Sequence, residues 1–232
     1  MVTMTSAIAA PERIDDLFAH LPKSDSVEYR KGQVIYSAVQ PLERVYLVTQ
    51  GMVMVSRILK DGKQVVMDFC QPSDIFGESV LVTPSSNVEQ AVALENSRVM
   101  SWTPAEIVHS VKGQTRLGLA LLHVLAQRES ELTWRIRSLA VDTIHLRVAR
   151  SLIRLASRIG ARQEDGSTRL PRLTHKTLSQ YIGSTREIVT HHMTEFRKQG
   201  YLSYSQSGIV IYREALQEWL NHNAPARYAA VS

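Results

Sequence analysis

The hydrophobic period of this chain changes once, near Thr103, and that change limits the folds open to it. From residue 30 to 103 the apolar residues come in short runs, each closed by a glycine or polar turn: RVYLV before Gln50 and Gly51, MVMVSRIL before Asp61 and Gly62, KQVVMDFC before Pro72, then AVALENSRVMSW. Many short strands at that spacing predict a β-barrel or jelly roll, because sheets with one apolar face must cover each other. After Thr103 strand-like alternation stops until about Ile159, and Pro104 is placed to open a short helix ahead of a long one. On the long helix Gly118, Leu121, Leu125, Arg128, Leu132, Ile136 and Leu139 fall at spacings of three and four, which makes one stripe. A striped helix between two domains predicts a homodimer seam. Packed only against its own β-domain, the same stripe would leave Arg128 needing a partner.

Past a boundary at Leu139 to Asp142, a second helix is expected over 142–159, and the polar loop GARQEDGSTRLPR leads into TLSQYIGSTREIVTHHMTEFRKQGYL, residues 177–202. Leu178, Tyr181 and Ile182 repeat at helical spacing, Gly183 breaks the repeat, and Ser184 or Thr185 can cap a new helix with an apolar stripe of Ile188, Val189, Met193 and Phe196. Opposite that stripe, Arg186, Glu187, Thr190 and His191 share a polar surface in the first turns, where a helix reads a DNA groove. Arginine can fork onto guanine, glutamate can accept from the cytosine amino group, and threonine or histidine can reach a base or phosphate. YLSYSQSGIVIY, residues 201–212, alternates around Ser207 and Gly208 as a β-hairpin would, so the unit reads as a winged helix-turn-helix. Its tip, Ser205, Gln206 and Ser207, carries no charge and predicts a weakly positioning wing.

Charge is distributed to match. Leu139 to Arg213 holds twelve Lys and Arg against five Asp and Glu, whereas residues 1–138 hold fourteen against fifteen. The basic excess therefore belongs to the reading head, as expected of a domain that displaces counterions from phosphates. The same arginines would also keep the outer face of a helix solvated, since Arg147, Arg150, Arg154 and Arg158 recur along one.

Taken together, the order of elements resembles the cyclic-AMP receptor and fumarate-nitrate regulator (CRP/FNR) superfamily of bacterial transcription factors over nearly the whole chain. The residues that carry the resemblance are Gly77 and Glu78 in SDIFGES, similar to the family's phosphate-binding cassette, and Thr185, Arg186 and Glu187, similar to its Ser/Thr-Arg-Glu motif. The resemblance implies an α+β chain: an N-terminal β-roll of double-stranded jelly-roll type over 13–113, a long dimerisation helix over 114–138 and a C-terminal winged helix-turn-helix over 139–222. It further implies that Arg186 and Glu187 read bases, that Thr185 holds a phosphate, and that Thr174, His175 and Lys176 approach the backbone. Double-stranded DNA, a second copy of the chain and RNA polymerase are the implied partners.

Departures from the family pattern are as informative. His191 stands where relatives often carry a second arginine; a neutral imidazole makes one bond and cannot fork onto guanine, so base preference should differ there. In members that bind cyclic AMP an Arg-Ser pair holds the cyclic phosphate, and this chain has Val88 and Glu89 instead. Glu78 and Arg128 match a ribose-contacting glutamate and its helix partner, or equally a structural ion pair, while Leu132 and Thr133 stand where relatives contact adenine with two polar residues. Ser73 replaces the usual glycine of the cassette turn. Any small effector in the roll is therefore expected not to be cyclic AMP.

Several classes are set aside. One cysteine, Cys70, permits no internal disulfide, multi-cysteine zinc site or four-cysteine cluster, and its run VVMDFC suits a small buried hydrophobe. The eight histidines show no ligand spacing, so no metal is expected; composition leaves haem open but nothing selects a histidine for it, and no cofactor is expected. No catalytic triad or phosphate loop stands out, hence no enzyme is expected. No apolar run suits a membrane span and no signal peptide is evident, which predicts a cytoplasmic protein without membrane attachment. A ligand-sensing scaffold whose helical domain binds protein is the other reading; it suits the basic excess less well, since protein interfaces are depleted of charge at their centre. Residues 1–12 and 223–232 are expected to be loose ends.

Overall fold

The computed structural model describes residues 21–22, 24–39, 41–82 and 89–224. Val88 and most of the expected loose ends lie outside the described residues. Among the described residues are twelve strands and six α-helices: β1 (Ser26–Tyr29), β2 (Val34–Tyr36), β3 (Val45–Gln50), β4 (Val53–Ile58), β5 (Gln64–Cys70), β6 (Ile75–Phe76), β7 (Glu89–Ala93), β8 (Ser97–Trp102), α1 (Pro104–Gly113), α2 (Thr115–Val141), α3 (Ile144–Ile159), β9 (Ala161–Arg162), β10 (Thr168–Leu170), α4 (His175–Ile182), α5 (Arg186–Lys198), β11 (Leu202–Ser205), β12 (Gly208–Ile211) and α6 (Arg213–Asn223). The first eight strands form two four-stranded sheets, ordered β1-β8-β3-β6 and β2-β7-β4-β5. The switch from strands to helices at Thr103 is as the hydrophobic period predicts, and the α+β class is as the resemblance implies.

The described residues fall into two compact units, one within 21–53, 70–82 and 91–129, the other within 54–69, 89–90 and 130–224. In the first, β3 pairs antiparallel with β8, placing Leu47 opposite Met100 and Val48 opposite Val99. Leu47, Val48, Phe76, Val99 and Trp102 are all buried, and the Trp102 indole N–H donates to the Pro22 carbonyl at 2.8 Å. Tyr36, Tyr46 and Phe76 stack with ring centroids 5.1–6.1 Å apart. Thr103 caps α1 in a reciprocal capping box with Glu106, so Pro104 does open that helix.

The stripe on α2 differs from the one expected. Leu125, Leu132, Ile136 and Leu139 are exposed as predicted, but Gly118 and Leu121 are half-buried, a Cβ at Gly118 falling 3.2 Å from Val111. Leu119 and Leu122 are exposed in their place, each 63% accessible. The exposed apolar row is thus rotated at the start of α2, which spacing alone could not reveal. Arg128, awkward on an apolar stripe, turns to its own unit and pairs with Glu78.

In the second unit the Arg135 guanidinium donates to the Val66 and Met67 carbonyls of β5 at 2.9 Å, to the Tyr181 carbonyl at 2.8 Å, and lies 4.6 Å over the Tyr181 ring. Arg154 pairs with Glu131 and Arg158 with Asp68. Of the four arginines expected to wet one face of α3, three are thus spent on ion pairs, Arg150 with Asp142 at the break before the helix. The helix break falls at Asp142 and Thr143, where Ser138 donates to the Asp142 carboxylate at 2.7 Å.

Residues 160–172, expected as a polar loop, contain the β9–β10 hairpin, and β10 lies inside a sheet of order β11-β12-β10-β9. Ser167 and Leu170 are buried and Asp165 accepts from the Ser167 N–H at 2.9 Å, so docking on β12 and a tight turn supply what the short polar strands lack in propensity. Cys70 is fully buried, as its apolar run predicts. Among the described residues no helix is long and apolar enough to cross a membrane.

Candidate nucleic-acid interface

The turn between α4 and α5 is built from two residues. Gly183 takes the left-handed conformation, φ 74°, and its N–H bonds the Ser179 carbonyl at 3.0 Å, closing α4. Thr185 then caps α5, its hydroxyl accepting from the Ile188 N–H at 3.3 Å. Any side chain at Gly183 would strain the backbone, and its Cβ would also press on Leu139 at 3.1 Å.

Val189, Met193 and Phe196 anchor the inner face of α5 with no accessible surface. Phe196 meets the Trp219, Tyr201 and His145 rings at 5.1, 6.2 and 5.1 Å. Ile188, expected in this stripe, is instead 41% exposed, because its position on the helix turns it away from the other three. The outer face gathers Arg186, Glu187 and His191, all exposed beside Thr185. Glu187 is held below the usual carboxylate range, chiefly by its own backbone N–H and then by the Thr185 hydroxyl. It stays a charged acceptor, the form that can take a bond from a base amino group.

Thr190 stands apart from these three. It is half-buried and spent on a bracket: His175 Nδ1 lies 2.9 Å from Thr190 Oγ1, and His175 Nε2 lies 2.7 Å from the Tyr204 hydroxyl. One imidazole thus joins the start of α4, α5 and strand β11. Thr174 caps α4 through the Thr177 N–H at 3.0 Å, and Lys176 is exposed on its first turn. Tyr204 and Arg169 were not singled out by sequence reasoning. Arg169 on β10 donates to Ser207 at 3.3 Å, which brings a cation to the tip expected to carry none. The signal was there in the β-type run of the wing, but β10 had no strand signature to place Arg169 next to it.

Burial holds the His175 imidazole below its usual range, and the Arg186 charge adds to the effect. Well above about pH 6.5, the ordinary value for histidine, neither the folded nor the unfolded chain protonates this group, and no stability is lost. As pH falls through that value the unfolded chain takes up the proton first, so stability declines until the lower folded pKa is passed. Chemical denaturation of the wild type and His175→Gln, which removes the imidazole, is expected to give a flatter pH dependence for the variant between about pH 7.5 and 5.5. Equal slopes would show that His175 plays no such part.

In the β-roll, Gly77 is left-handed at φ 77°, and a Cβ there would meet the Arg44 carbonyl and the Tyr46 ring at 3.0 Å. Glu78 pairs with Arg128, which also donates to the Ile75 carbonyl. Ser73 takes φ 77°, an uncommon conformation for a residue with a Cβ, so the turn has a shape that glycine ordinarily supplies. Glu89 belongs to the other unit and lies 3.9 Å from Arg57. Leu132 and Thr133 are exposed on α2.

Comparison with known families matches residues 26–109 to a cyclic nucleotide-binding domain and 146–219 to a Crp-like helix-turn-helix domain. A CRP-like cAMP-activated global transcriptional regulator of Mycobacterium tuberculosis is 26% identical over 186 residues, 80% of this chain and 83% of that one. The global nitrogen regulator of a Nostoc species is 25% identical over 187 residues, 80% and 84% of the two chains. Among solved structures, FixK2 from Bradyrhizobium japonicum superposes with a TM-score of 0.72 at 24% identity, covering 85% of this chain and 97% of its own. A CRP/FNR-family transcriptional regulator of Thermus thermophilus gives 0.65 at 25% identity, covering 85% and 98%.

Proposed function

This chain belongs to the CRP/FNR superfamily of transcription regulators, and from that premise we propose that it acts as a homodimer reading a two-fold symmetric DNA site through α5 of each copy. The observation that carries the proposal is the exposed row of Arg186, Glu187 and His191 on a helix whose opposite face is fully buried. A helix anchored this way presents its polar edge with little conformational entropy left to lose. Arg186 and Glu187 serve as the base readers, with His191 altering the preference one turn on. Thr185, Thr174 and Lys176 approach phosphates, and His175 with Thr190 positions the wing instead of reading bases. Arg169 strengthens the wing's hold on the backbone.

The exposed seam of α2, from Leu119 to Leu139, supports the dimer, since so long an apolar row is rarely left to water. Replacing Leu122 and Ile136 together by glutamate is expected to give a monomer in sedimentation and to abolish tight DNA binding. A dimer that persists in this variant would place the seam elsewhere.

Control by a small effector other than cyclic AMP fits the roll best. The Glu78 carboxylate is already engaged by Arg128, and the chain carries Val88 and Glu89 in place of the Arg-Ser pair that would hold a cyclic phosphate. Output is through RNA polymerase recruited or blocked at the bound promoter. A salt series tests the DNA reading: with about six to ten phosphate contacts, affinity should fall about a thousandfold or more between 50 and 200 mM salt. Salt-independent binding would favour a protein-binding scaffold.

A further inference from the structure

Three side chains that the DNA reading leaves unused come together behind the recognition helix. His145 sits on the first turn of α3, and His192 and Glu195 sit on α5. One ligand atom from each lies within 4.8 Å of the other two. His192 Nδ1 is 3.4 Å from Glu195 Oε2, and the His145 ring stacks on the His192 ring with centroids 4.8 Å apart. Behind them the Phe196 and Trp219 rings lie 5.1 and 4.5 Å from His145, giving the group an apolar wall. His145 Nε2 is buried without a hydrogen-bond partner, a condition that burial penalises unless something bonds the atom.

We propose that His145, His192 and Glu195 form a binding site for a divalent transition metal ion of the zinc class, which clamps α3 to the recognition helix. Two imidazoles and one carboxylate make a borderline donor set suited to zinc, cobalt or nickel, and unsuited to calcium or magnesium, which prefer oxygen throughout. A tetrahedral ion with bonds of about 2.0–2.1 Å needs its ligand atoms roughly 3.4 Å apart, the separation His192 Nδ1 and Glu195 Oε2 already have, so His145 closes in by at most about 1.4 Å as its ring leaves the stack. The carboxylate matters most for the sign of the charge: it offsets the ion within a basic domain. His191 Nε2 lies 3.5 Å from the same Glu195 oxygen, but its side chain is 66% exposed on the reading face, and the site is complete without it. The physical effect is specific, since a bond from α3 to α5 fixes the pitch at which Arg186 and Glu187 are presented.

The test uses the full chain stripped with a chelator and titrated with cobalt, then zinc. Expected is one cobalt per chain with the visible absorption of a four-coordinate ion, displaced by zinc, and a raised thermal midpoint with zinc. Glu195→Gln, at a half-exposed position where folding is undisturbed, should bind at least about tenfold more weakly, a loss that even outer-shell partners produce. His192→Gln should do the same, and both variants should keep the wild-type circular dichroism. His191→Gln should retain the site. Absence of stoichiometric cobalt binding overturns the assignment, as does full binding by Glu195→Gln, or loss in His191→Gln together with retention in His192→Gln.

Discussion

Phe196→Ala is expected to lower the stability of the helical unit by about 3–5 kcal/mol, the range for emptying a fully buried aromatic site. Phe196 has no accessible surface and is ringed by Trp219, Tyr201 and His145, three side chains from α6, the turn before β11 and α3. None is placed to fill the gap, because each is held by its own element. The loss comprises the removed apolar contact and the cavity left behind. Since domain stabilities are of order 5–15 kcal/mol, much of the folded population is at risk. Denaturant unfolding followed by the Trp219 signal measures it directly. A change under about 1 kcal/mol would mean that α5 is not anchored as described.

Arg186→Ala is the second large effect. The guanidinium stands exposed on the first turn of α5, beside Glu187 and clear of the buried face, so its removal leaves the fold intact. A forked contact with guanine is worth about 1–3 kcal/mol of discrimination, and specific affinity should fall about five- to 150-fold with it. The loss should fall on one base pair in each half-site, while binding to random duplex weakens little. Glu187→Ala should relax the neighbouring position in the same manner. These outcomes separate reading from mere attraction, which the basic excess of residues 139–213 supplies irrespective of sequence.

Much of this architecture was legible from residue order. Gly183 and Thr185 mark the turn and the cap because each answers a local backbone need, a left-handed residue and an orphan N–H. The switch from strands to helices at Thr103 was legible for the same reason, since period reports which faces are covered. What escaped depended on packing. Ile188 is apolar and was placed in the core stripe, yet it faces outward, because hydrophobic residues are often exposed and only buried polar ones are diagnostic. The β9–β10 hairpin escaped because its strands are two and three residues long and owe their form to docking on β12. Arg169 and Tyr204 escaped with it, as did the rotation of the α2 seam toward Leu119 and Leu122. His145 and His192 lie far apart along the chain, so no spacing rule could pair them.

The central claim is that two copies of α5 present Arg186 and Glu187 to one duplex. Selection of bound DNA from a random pool, run side by side with wild type and Arg186→Ala, tests it most directly. The expected result is an inverted repeat with half-sites about one helical turn, or about 34 Å, apart. The variant should lose preference at a single symmetric position and keep the spacing. An unenriched pool, or the same preferred sequence from both proteins, would contradict the account.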